Sequence, residues 1–249
     1  MNEELQKKLQ RLKLRFLSEN LAIFCQRFGK QRELVEKIIN EIAENEISEQ
    51  QKTNLERRLS QSKIGSFSVM ADFDWNWPKK IPRKTIETIL SREFSSKREN
   101  VVFMGPEGIG KTMIAQNIAY QAAFVGQRAL FTTAADLVVK LKDAGPRFRA
   151  RLGKYLNPDL LVIDEIGYLS FDNKAADLVY QVVSKRYEKS STVITTNLAF
   201  KDWPKFFPGA SSVTALIDRL VHRAHIINIE GDSFRLRESK NSNQKDKQS

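Results

Sequence analysis

Residues 101–112 read Val101-Val102-Phe103-Met104-Gly105-Pro106-Glu107-Gly108-Ile109-Gly110-Lys111-Thr112. A short apolar run gives way to glycines, and a segment with helical apolar spacing follows from Met113, so the stretch predicts a strand, a loop and a helix. The spacing from Gly105 to Thr112 satisfies G-x-x-x-x-G-K-[ST] at every required position. Glycines allow positive φ and a close approach of the backbone to a ligand. The motif therefore predicts a loop whose N–H groups surround the phosphates of a nucleotide.

Two side chains at the end of this loop have separate predicted roles. Lys111 supplies a positive charge for the β- and γ-phosphates, and the Thr112 hydroxyl is a natural Mg²⁺ ligand. A glycine turn before a surface helix is the alternative interpretation, which the preceding strand and following helix disfavour. ATP and Mg²⁺ are the expected cofactors. The predicted nucleotide-binding residues are Gly105, Pro106, Glu107, Gly108, Ile109, Gly110, Lys111, Thr112 and Met113.

A second motif, Leu160-Leu161-Val162-Ile163-Asp164-Glu165, places two carboxylates after four apolar residues. The apolar run predicts a buried parallel strand whose carboxyl end reaches the phosphate site. We expect Asp164 to hold Mg²⁺, directly or through water, and Glu165 to orient and activate the attacking water. Carboxylates that merely cap the following turn are the weaker alternative, because the phosphate loop lies upstream.

A third buried strand is predicted at Thr192–Asn197, and it ends in polar residues. A polar side chain at that end would lie beside the γ-phosphate and hydrogen-bond to it or to the water. Asn197 is the preferred candidate and Thr196 the second.

Composition narrows the class of protein. A hydrophobic fraction of 41% in 249 residues excludes a wholly disordered chain. Cys25 is the only cysteine, so an intrachain disulfide is excluded and a reducing compartment is natural. The charged first residues do not resemble a signal peptide, and no apolar run approaches a membrane span. We expect a cytoplasmic protein without a membrane partner.

The charge balance suggests a polyanionic partner. The net charge is +11, and basic nucleotide-binding proteins often bind nucleic acid as well. A dense cationic patch falls between residues 145 and 154, interleaved with Phe148, and it could contact DNA phosphates or be a solvated basic face. The candidate DNA-contacting residues of this patch are Arg147, Arg149, Arg151 and Lys154.

Three regions are predicted along the chain. Residues 1–66 contain no proline and form a small all-helical domain, with an interruption near residues 18–20 and separate helices over residues 32–42 and 49–61. A partner-binding module is favoured over a coiled-coil arm because the apolar spacing keeps no strict heptad. Residues 67–240 form an α/β domain, three layers around a central parallel sheet, and residues 241–249 form a disordered polar tail.

Three further elements of the α/β domain are predicted locally. An aromatic connector, Phe73-Asp74-Trp75-Asn76-Trp77-Pro78, either stacks on a base or packs on the domain. A helix is predicted over residues 84–94. Near the end of the domain, a helix over residues 211–223 precedes a hairpin of residues 224–229 and 233–237.

With these motifs in this order, the chain resembles the AAA+ ATPases. More narrowly it is similar to the IstB/DnaC-like group, which comprises ATP-binding helpers of insertion sequences and loaders of bacterial replicative helicases. Residues 163–169, 196–198 and 218–220 carry the narrower resemblance. Glu107 and Ile109 depart from the Pro and Thr familiar in this group, but both positions contribute backbone N–H groups. Only about 26 residues follow Arg223, too few for the C-terminal helical lid that AAA+ proteins usually carry, and the matched group also lacks it.

The resemblance implies several functional assignments. Arg219 would be an arginine finger that reaches the ATP of a neighbouring subunit in a homo-oligomer. Thr132, Thr133 and the region Arg147–Lys154 would lie near DNA. The implied function is that of an ATPase and DNA-binding helper of transposition, cooperating with a transposase in target-site selection. A loader that binds a replicative helicase through its N-terminal domain is the alternative, and Glu165 argues against an adaptor without turnover.

Overall fold

The computed structural model describes residues 3–91, 93–167, 172–207 and 212–237. Internal contacts divide the chain into one unit that ends at Arg57 and a second that begins at Arg58. The predicted tail, residues 241–249, lies outside the described residues. In the described part of the chain, no helix is long and apolar enough to cross a membrane.

The N-terminal unit is helical. Its helices are α1 (Glu3–Arg11), α2 (Arg15–Gln26) and α3 (Arg32–Ser62), the last residues of α3 belonging to the second unit. Leu5 and Leu9 of α1 are buried together with Leu21, Cys25 and Ala43. Apolar residues three or four positions apart thus produce the small core that the helical spacing predicts.

One helix boundary in this unit was predicted wrongly, and one interruption was predicted correctly. One continuous helix, α3, replaces the separate helices over residues 32–42 and 49–61, because no glycine or proline interrupts it and Ser48 does not begin a new helix. The interruption predicted near residues 18–20 is confirmed, because α2 is kinked at Asn20, whose φ of −115° and ψ of 15° are not helical. A further break, which was not predicted, falls between Arg11 and Arg15, where Lys13 has φ of 61°.

The second unit is built on a five-stranded parallel sheet. Its strands are β1 (Asn100–Met104), β2 (Ala129–Thr133), β3 (Leu160–Ile166), β4 (Ser191–Thr196) and β5 (Ala224–Asn228), and their order is β2-β3-β4-β1-β5. The strand β1 therefore has a neighbour on each side, and β4 separates it from β3. Because all strands are parallel, their carboxyl ends meet at one edge of the sheet.

Helices cover both faces of the sheet. They are α4 (Arg83–Leu90), α5 (Glu93–Ser96), α6 (Lys111–Phe124), α7 (Ala134–Lys142), α8 (Phe148–Leu156), α9 (Asn173–Arg186), α10 (Trp203–Phe206) and α11 (Ser212–Val221). Along β1, Val101 and Phe103 pack with α4 and α6, whereas Val102 packs with α7, α9 and α11. This alternation gives two apolar cores and confirms the three-layer α/β prediction.

Two local predictions in this unit are wrong. The predicted hairpin does not form: β5 pairs in parallel with β1, and residues 234–237 are helical. After β5 the chain turns over the phosphate loop instead, where the Phe234 N–H donates to the Gly108 carbonyl at 2.9 Å. The helix predicted over residues 84–94 ends at Leu90, and the short α5 follows it.

Candidate active site

The phosphate loop joins β1 to α6, as the motif predicts. Apolar residues of β1 are fully buried, so the strand end is fixed by the core. Gly110 is the residue before α6 and has φ of 99°, and a Cβ there would come within 2.5 Å of the Phe73 ring. A Cβ on Gly108 would collide with the Ser233 side chain. The loop thus lies between the aromatic connector and the segment after β5. It approaches both so closely that neither glycine position has room for a side chain.

Lys111 is buried at the start of α6, with 5% of its surface exposed. Its Nζ donates to the carbonyl oxygens of Gly105 at 2.7 Å and Pro106 at 2.6 Å. Burial lowers the pKa of Lys111 to about 8, and the nearby carboxylate of Asp164 opposes this shift. A buried ammonium whose hydrogen bonds are to neutral carbonyls is suited to an incoming anion, because phosphate would replace those carbonyls.

Asp164 lies near the end of β3, with 3% of its surface exposed. The Thr112 hydroxyl lies 3.2 and 3.1 Å from its two carboxylate oxygens, and the Thr195 hydroxyl donates to Oδ1. Burial raises the pKa of Asp164, while the hydrogen bonds from Thr195 and Thr112 and the charge of Lys111 oppose this. The structure thus brings Lys111, Thr112 and Asp164 together, as the two motifs predict.

Glu165 occupies a bulge at the end of β3. The pairing of β3 with β4 shifts register between Ile163 and Ile166, and Glu165 itself has φ of 63°. Its N–H donates to the Thr195 hydroxyl at 2.9 Å. Burial and the charge of Asp164 raise the pKa of the Glu165 carboxyl. The bulge turns the side chain of Glu165 away from the regular alternation of the strand and into the phosphate cavity.

Thr195 is a candidate site residue that was not predicted from the sequence. It contacts both carboxylate-bearing residues of β3, through the Asp164 carboxylate and the Glu165 N–H. Asn197 and Thr196, the two candidates for the polar contact beside the γ-phosphate, differ in their own contacts. Thr196 is fully buried and its hydroxyl accepts from the Leu198 N–H at 3.1 Å, whereas Asn197 Oδ1 is buried and has no hydrogen-bond partner among the described residues. The free atom of Asn197 is thus a hydrogen-bond acceptor, which suits contact with a water molecule or another donor.

Aromatic residues line the cavity next to the loop. Phe73 and Trp77 come from the connector, and Phe234 comes from the segment after β5. The Trp77 and Phe234 rings meet edge to face with centroids 5.9 Å apart, and Trp77 Nε1 donates to the Asp232 carbonyl at 2.9 Å. Arg235 also lines this cavity. The connector was predicted either to stack on a base or to pack on the domain. Phe234 and Arg235 were not predicted to lie here, because they were assigned to a hairpin strand.

The residues present fit a magnesium nucleotide. In the described ranges no three His, Cys, Asp or Glu side chains cluster as a metal site. A magnesium ion would therefore depend on Thr112, Asp164 and the phosphates, a combination of oxygen ligands that Mg²⁺ accepts. The glycine-lined loop agrees with the same ligand.

Arg219 lies away from these residues. It is on α11, and its guanidinium carbon is 5.1 Å from the centroid of the Tyr180 ring on α9. The cationic side chain that acts on both Lys111 and Glu165 is Arg235 rather than Arg219. The structure thus leaves Arg219 outside the cavity of its own chain.

The predicted DNA-contacting residues fall into two sets. Thr132, Thr133 and Lys154 line one groove, together with Lys140 and Tyr155, although Thr132 itself is 6% exposed. Arg151 adjoins this groove, because its Nη1 donates to the Lys140 carbonyl at 3.0 Å. Arg147 and Arg149 are exposed but are not among the residues that line the groove.

The loop after β1, with an acidic pair supplied by β3 and one strand between them, is the arrangement of the AAA+ class of P-loop nucleotide-binding proteins. The chain belongs to the IstB-like ATP binding protein family, whose family model matches residues 7–242. It is 30% identical over 249 residues to the ATP-binding protein of insertion sequence IS5376 from Geobacillus stearothermophilus, covering 99% of each chain. The ATP-binding protein of insertion sequence IS232 from Bacillus thuringiensis subsp. berliner is 38% identical, over 72% of this chain and 74% of that protein.

Solved structures show the same fold. The crystal structure of DnaI matches with a TM-score of 0.56 and 18% identity, covering 67% of this chain and 92% of that chain. The DnaC helicase loader matches with a TM-score of 0.53 and 19% identity, covering 70% of this chain and 99% of that chain. The family assignment and the fold prediction are thereby confirmed.

Proposed function

We propose that this protein is a magnesium-dependent ATPase that assembles on DNA and assists a transposase. The observation that carries the proposal is the buried cluster of Lys111, Thr112 and Asp164, with Glu165 turned into the same cavity by a bulge. Charge placement of this kind suits phosphoryl transfer, in which positioning and electrostatic stabilisation dominate over covalent chemistry.

Some of these residues would bind ATP, and others would act in its hydrolysis. Lys111 would exchange its loop carbonyls for the β- and γ-phosphates, and the aromatic residues of the connector would contact the base. Glu165 would accept a proton from the attacking water, and the raised pKa of its carboxyl makes it a better base than an exposed glutamate. Asn197 would hydrogen-bond to the water or the γ-phosphate. Magnesium held by Thr112 and Asp164 would neutralise charge that develops on the phosphate oxygens.

A second subunit would supply the positive charge that stabilises the transition state. Arg219 lies outside the cavity of its own chain, so we propose that it completes the site of a neighbour as an arginine finger. Such fingers contribute about 10³–10⁵ in rate because the guanidinium stabilises charge in the transition state. The assembly would then be a homo-oligomer with ATP at the subunit junctions.

The net charge of +11 and the groove that contains Lys154 support DNA as the surface on which subunits meet. The relatives are named as ATP-binding proteins of insertion sequences, which supports a transposase as the partner. A replicative-helicase loader is the alternative with the same fold. A pull-down with purified transposase and purified helicase distinguishes the two, because the proposal requires that transposase be retained in the presence of ATP and DNA.

A mixing experiment tests the shared site. Arg219→Ala lacks the finger and Glu165→Gln lacks the base, so each protein alone should be nearly inactive. Together they can form a junction with an intact Glu165 and a neighbour's intact Arg219, and ATPase activity should partly return when DNA is present. If the two variants co-assemble and no mixing ratio restores activity, Arg219 does not act between subunits.

A further inference from the structure

The ring of Tyr180 is the described contact of the Arg219 guanidinium in its own chain. The distance of 5.1 Å lies within the range of about 6 Å for a cation–π contact. Both side chains are half-buried, and no described carboxylate forms an ion pair with Arg219. A carboxylate would occupy N–H donors of the guanidinium, whereas a ring face attracts the charge and leaves those donors available for phosphate.

The two helices that carry this pair are fixed to each other by other contacts. The Ser212 hydroxyl on α11 donates to Asp177 Oδ1 on α9 at 2.8 Å. At the other end, the hydroxyl of Tyr187 lies 2.9 Å from His222 Nδ1. Buried Val179 and Leu216 belong to the core that α9 and α11 share. Loss of the Tyr180 ring should therefore release the Arg219 side chain while α11 keeps its place on α9.

We infer that Tyr180 positions Arg219 for the nucleotide site of an adjoining subunit. The inference rests on the proposed function, in which Arg219 acts in trans. An arginine side chain has many rotamers, and fixing one of them costs conformational entropy at the moment when subunits meet. A ring that holds the guanidinium beforehand reduces that cost, so the finger is aligned before the junction forms.

The test uses the mixture of Glu165→Gln and Arg219→Ala proteins and adds a substitution at Tyr180 to only one of the two proteins at a time. Glu165→Gln protein donates the finger and Arg219→Ala protein donates the base. Tyr180→Leu removes the ring but keeps apolar bulk, and Tyr180→Phe keeps the ring. Tyr187→Leu is the matched control, because it removes another aromatic ring, next to the end of α9, that contacts His222 without touching Arg219.

Adding Tyr180→Leu to the finger donor should lower the recovered kcat about two- to fivefold, the loss of a partly exposed cation–π contact. The KM for ATP should not change, because that site belongs to the other subunit. Tyr180→Phe on the donor, Tyr180→Leu on the base donor and Tyr187→Leu on the finger donor should each keep the activity of the reference mixture.

Three results would overturn the inference. A loss of equal size with Tyr187→Leu would show general loosening of the helix pair, and a loss with Tyr180→Leu on the base donor would place the effect in the wrong subunit. Full activity with Tyr180→Leu on the finger donor would show that the ring does not hold Arg219. Failure of the reference mixture itself is a separate outcome, which refutes the shared site of the proposed function and the role of Tyr180 with it.

Discussion

Thr195 connects the two carboxylate residues of the site through one hydroxyl, which donates to Asp164 and accepts from the Glu165 N–H. Thr195→Val should therefore release both residues and lower kcat about tenfold or more, since a hydrogen bond to a charged group is worth about 1.5–3 kcal/mol. The KM for ATP should change less than kcat, because Lys111 and the loop are untouched. Steady-state ATPase kinetics measure the effect.

Thr195→Ser keeps the hydroxyl and is the matched control for this prediction. It should retain most of the activity, and equal losses for the Ser and Val variants would show that the methyl group rather than the hydroxyl matters.

Lys111 should make ATP binding dependent on pH. Its pKa is lowered to about 8 in the free protein, and bound phosphates would favour the charged form. Below pH 8 the ammonium is already present and affinity should be constant. Above it, binding must take up a proton, and affinity should fall by up to about tenfold per pH unit. Titrations with ATP at pH 7, 8 and 9 measure this, and AMP, which lacks the β- and γ-phosphates, is the control ligand.

The same lowered pKa affects stability in the opposite direction: as pH rises, ATP affinity should fall but the Lys111 contribution to the stability of the free protein should increase. Between pH 8 and the ordinary lysine pKa of 10.5, the unfolded chain holds a proton at Lys111 that the folded chain has lost. The Lys111 contribution to the free energy of unfolding therefore increases with pH over this range.

In the ATP titrations, an affinity that stays constant from pH 7 to pH 9 would contradict the lowered pKa of Lys111.

The positions of candidate site residues were predictable where the signal is a local motif. The spacing along the chain singled out Lys111, Thr112, Asp164 and Glu165. It did not single out Thr195, because the contacts of Thr195 depend on the lateral pairing of β3 with β4 and on a register shift. Neither of these can be read from a single strand.

Among the elements, α8 carries most of the proposed DNA patch, and its C-terminal end is held by a buried side chain. Arg186 donates to the carbonyls of Tyr155, Leu156 and Pro158 at 2.8–3.2 Å. It is 1% exposed, and burial lowers its pKa to about 10. The helix is therefore anchored at one end, while its basic residues remain exposed on the other side.

Exposed arginines at the start of α8 should contribute to DNA binding without sequence preference. Changing Arg147, Arg149 and Arg151 together to Gln should weaken binding to all duplexes. It should also flatten the dependence of log affinity on log salt by about 0.9 for each DNA phosphate that the variant no longer neutralises. Fluorescence anisotropy at several salt concentrations measures both quantities.

The control for this prediction has the same change in net charge at a different place. Lys84, Lys97 and Lys201 are exposed and lie outside α8, and their triple Gln variant should bind almost as the wild type does. If both triple variants lose affinity equally, net charge rather than the α8 patch binds DNA.

At this scale, local apolar spacing predicted most helices and strands of the second unit, and it failed where pairing is non-local. Residues 224–229 alternate well enough for a hairpin, but β1 offers a buried parallel neighbour that the sequence does not reveal. The chain after β5 then packs on Trp77 and the phosphate loop, so Phe234 and Arg235 face the cavity.

At the scale of the whole molecule, ATP binding and assembly should be linked, because the proposed arginine finger Arg219 would act only where two chains meet. Glu165→Gln with ATP and DNA should accumulate as an oligomer, since ATP stays bound at the junctions. Lys111→Ala should remain in the small form under the same conditions, because it lacks the charge that binds the phosphates. Sedimentation velocity distinguishes these outcomes, and ADP provides the control nucleotide. If both variants sediment as particles of equal size, assembly does not depend on bound ATP.

The left-handed backbone at Glu165 should make the glutamate proposed for catalysis unfavourable for folding. A non-glycine residue with φ of 63° costs about 1–2 kcal/mol, and the adjoining carboxylates repel each other as well. In a library of all residues at position 165, a screen for resistance to unfolding should enrich Gly and Asn. A screen for turnover should retain Glu alone. The same position would thus give opposite rankings under the two selections, and the variants that survive heating best would be among the least active.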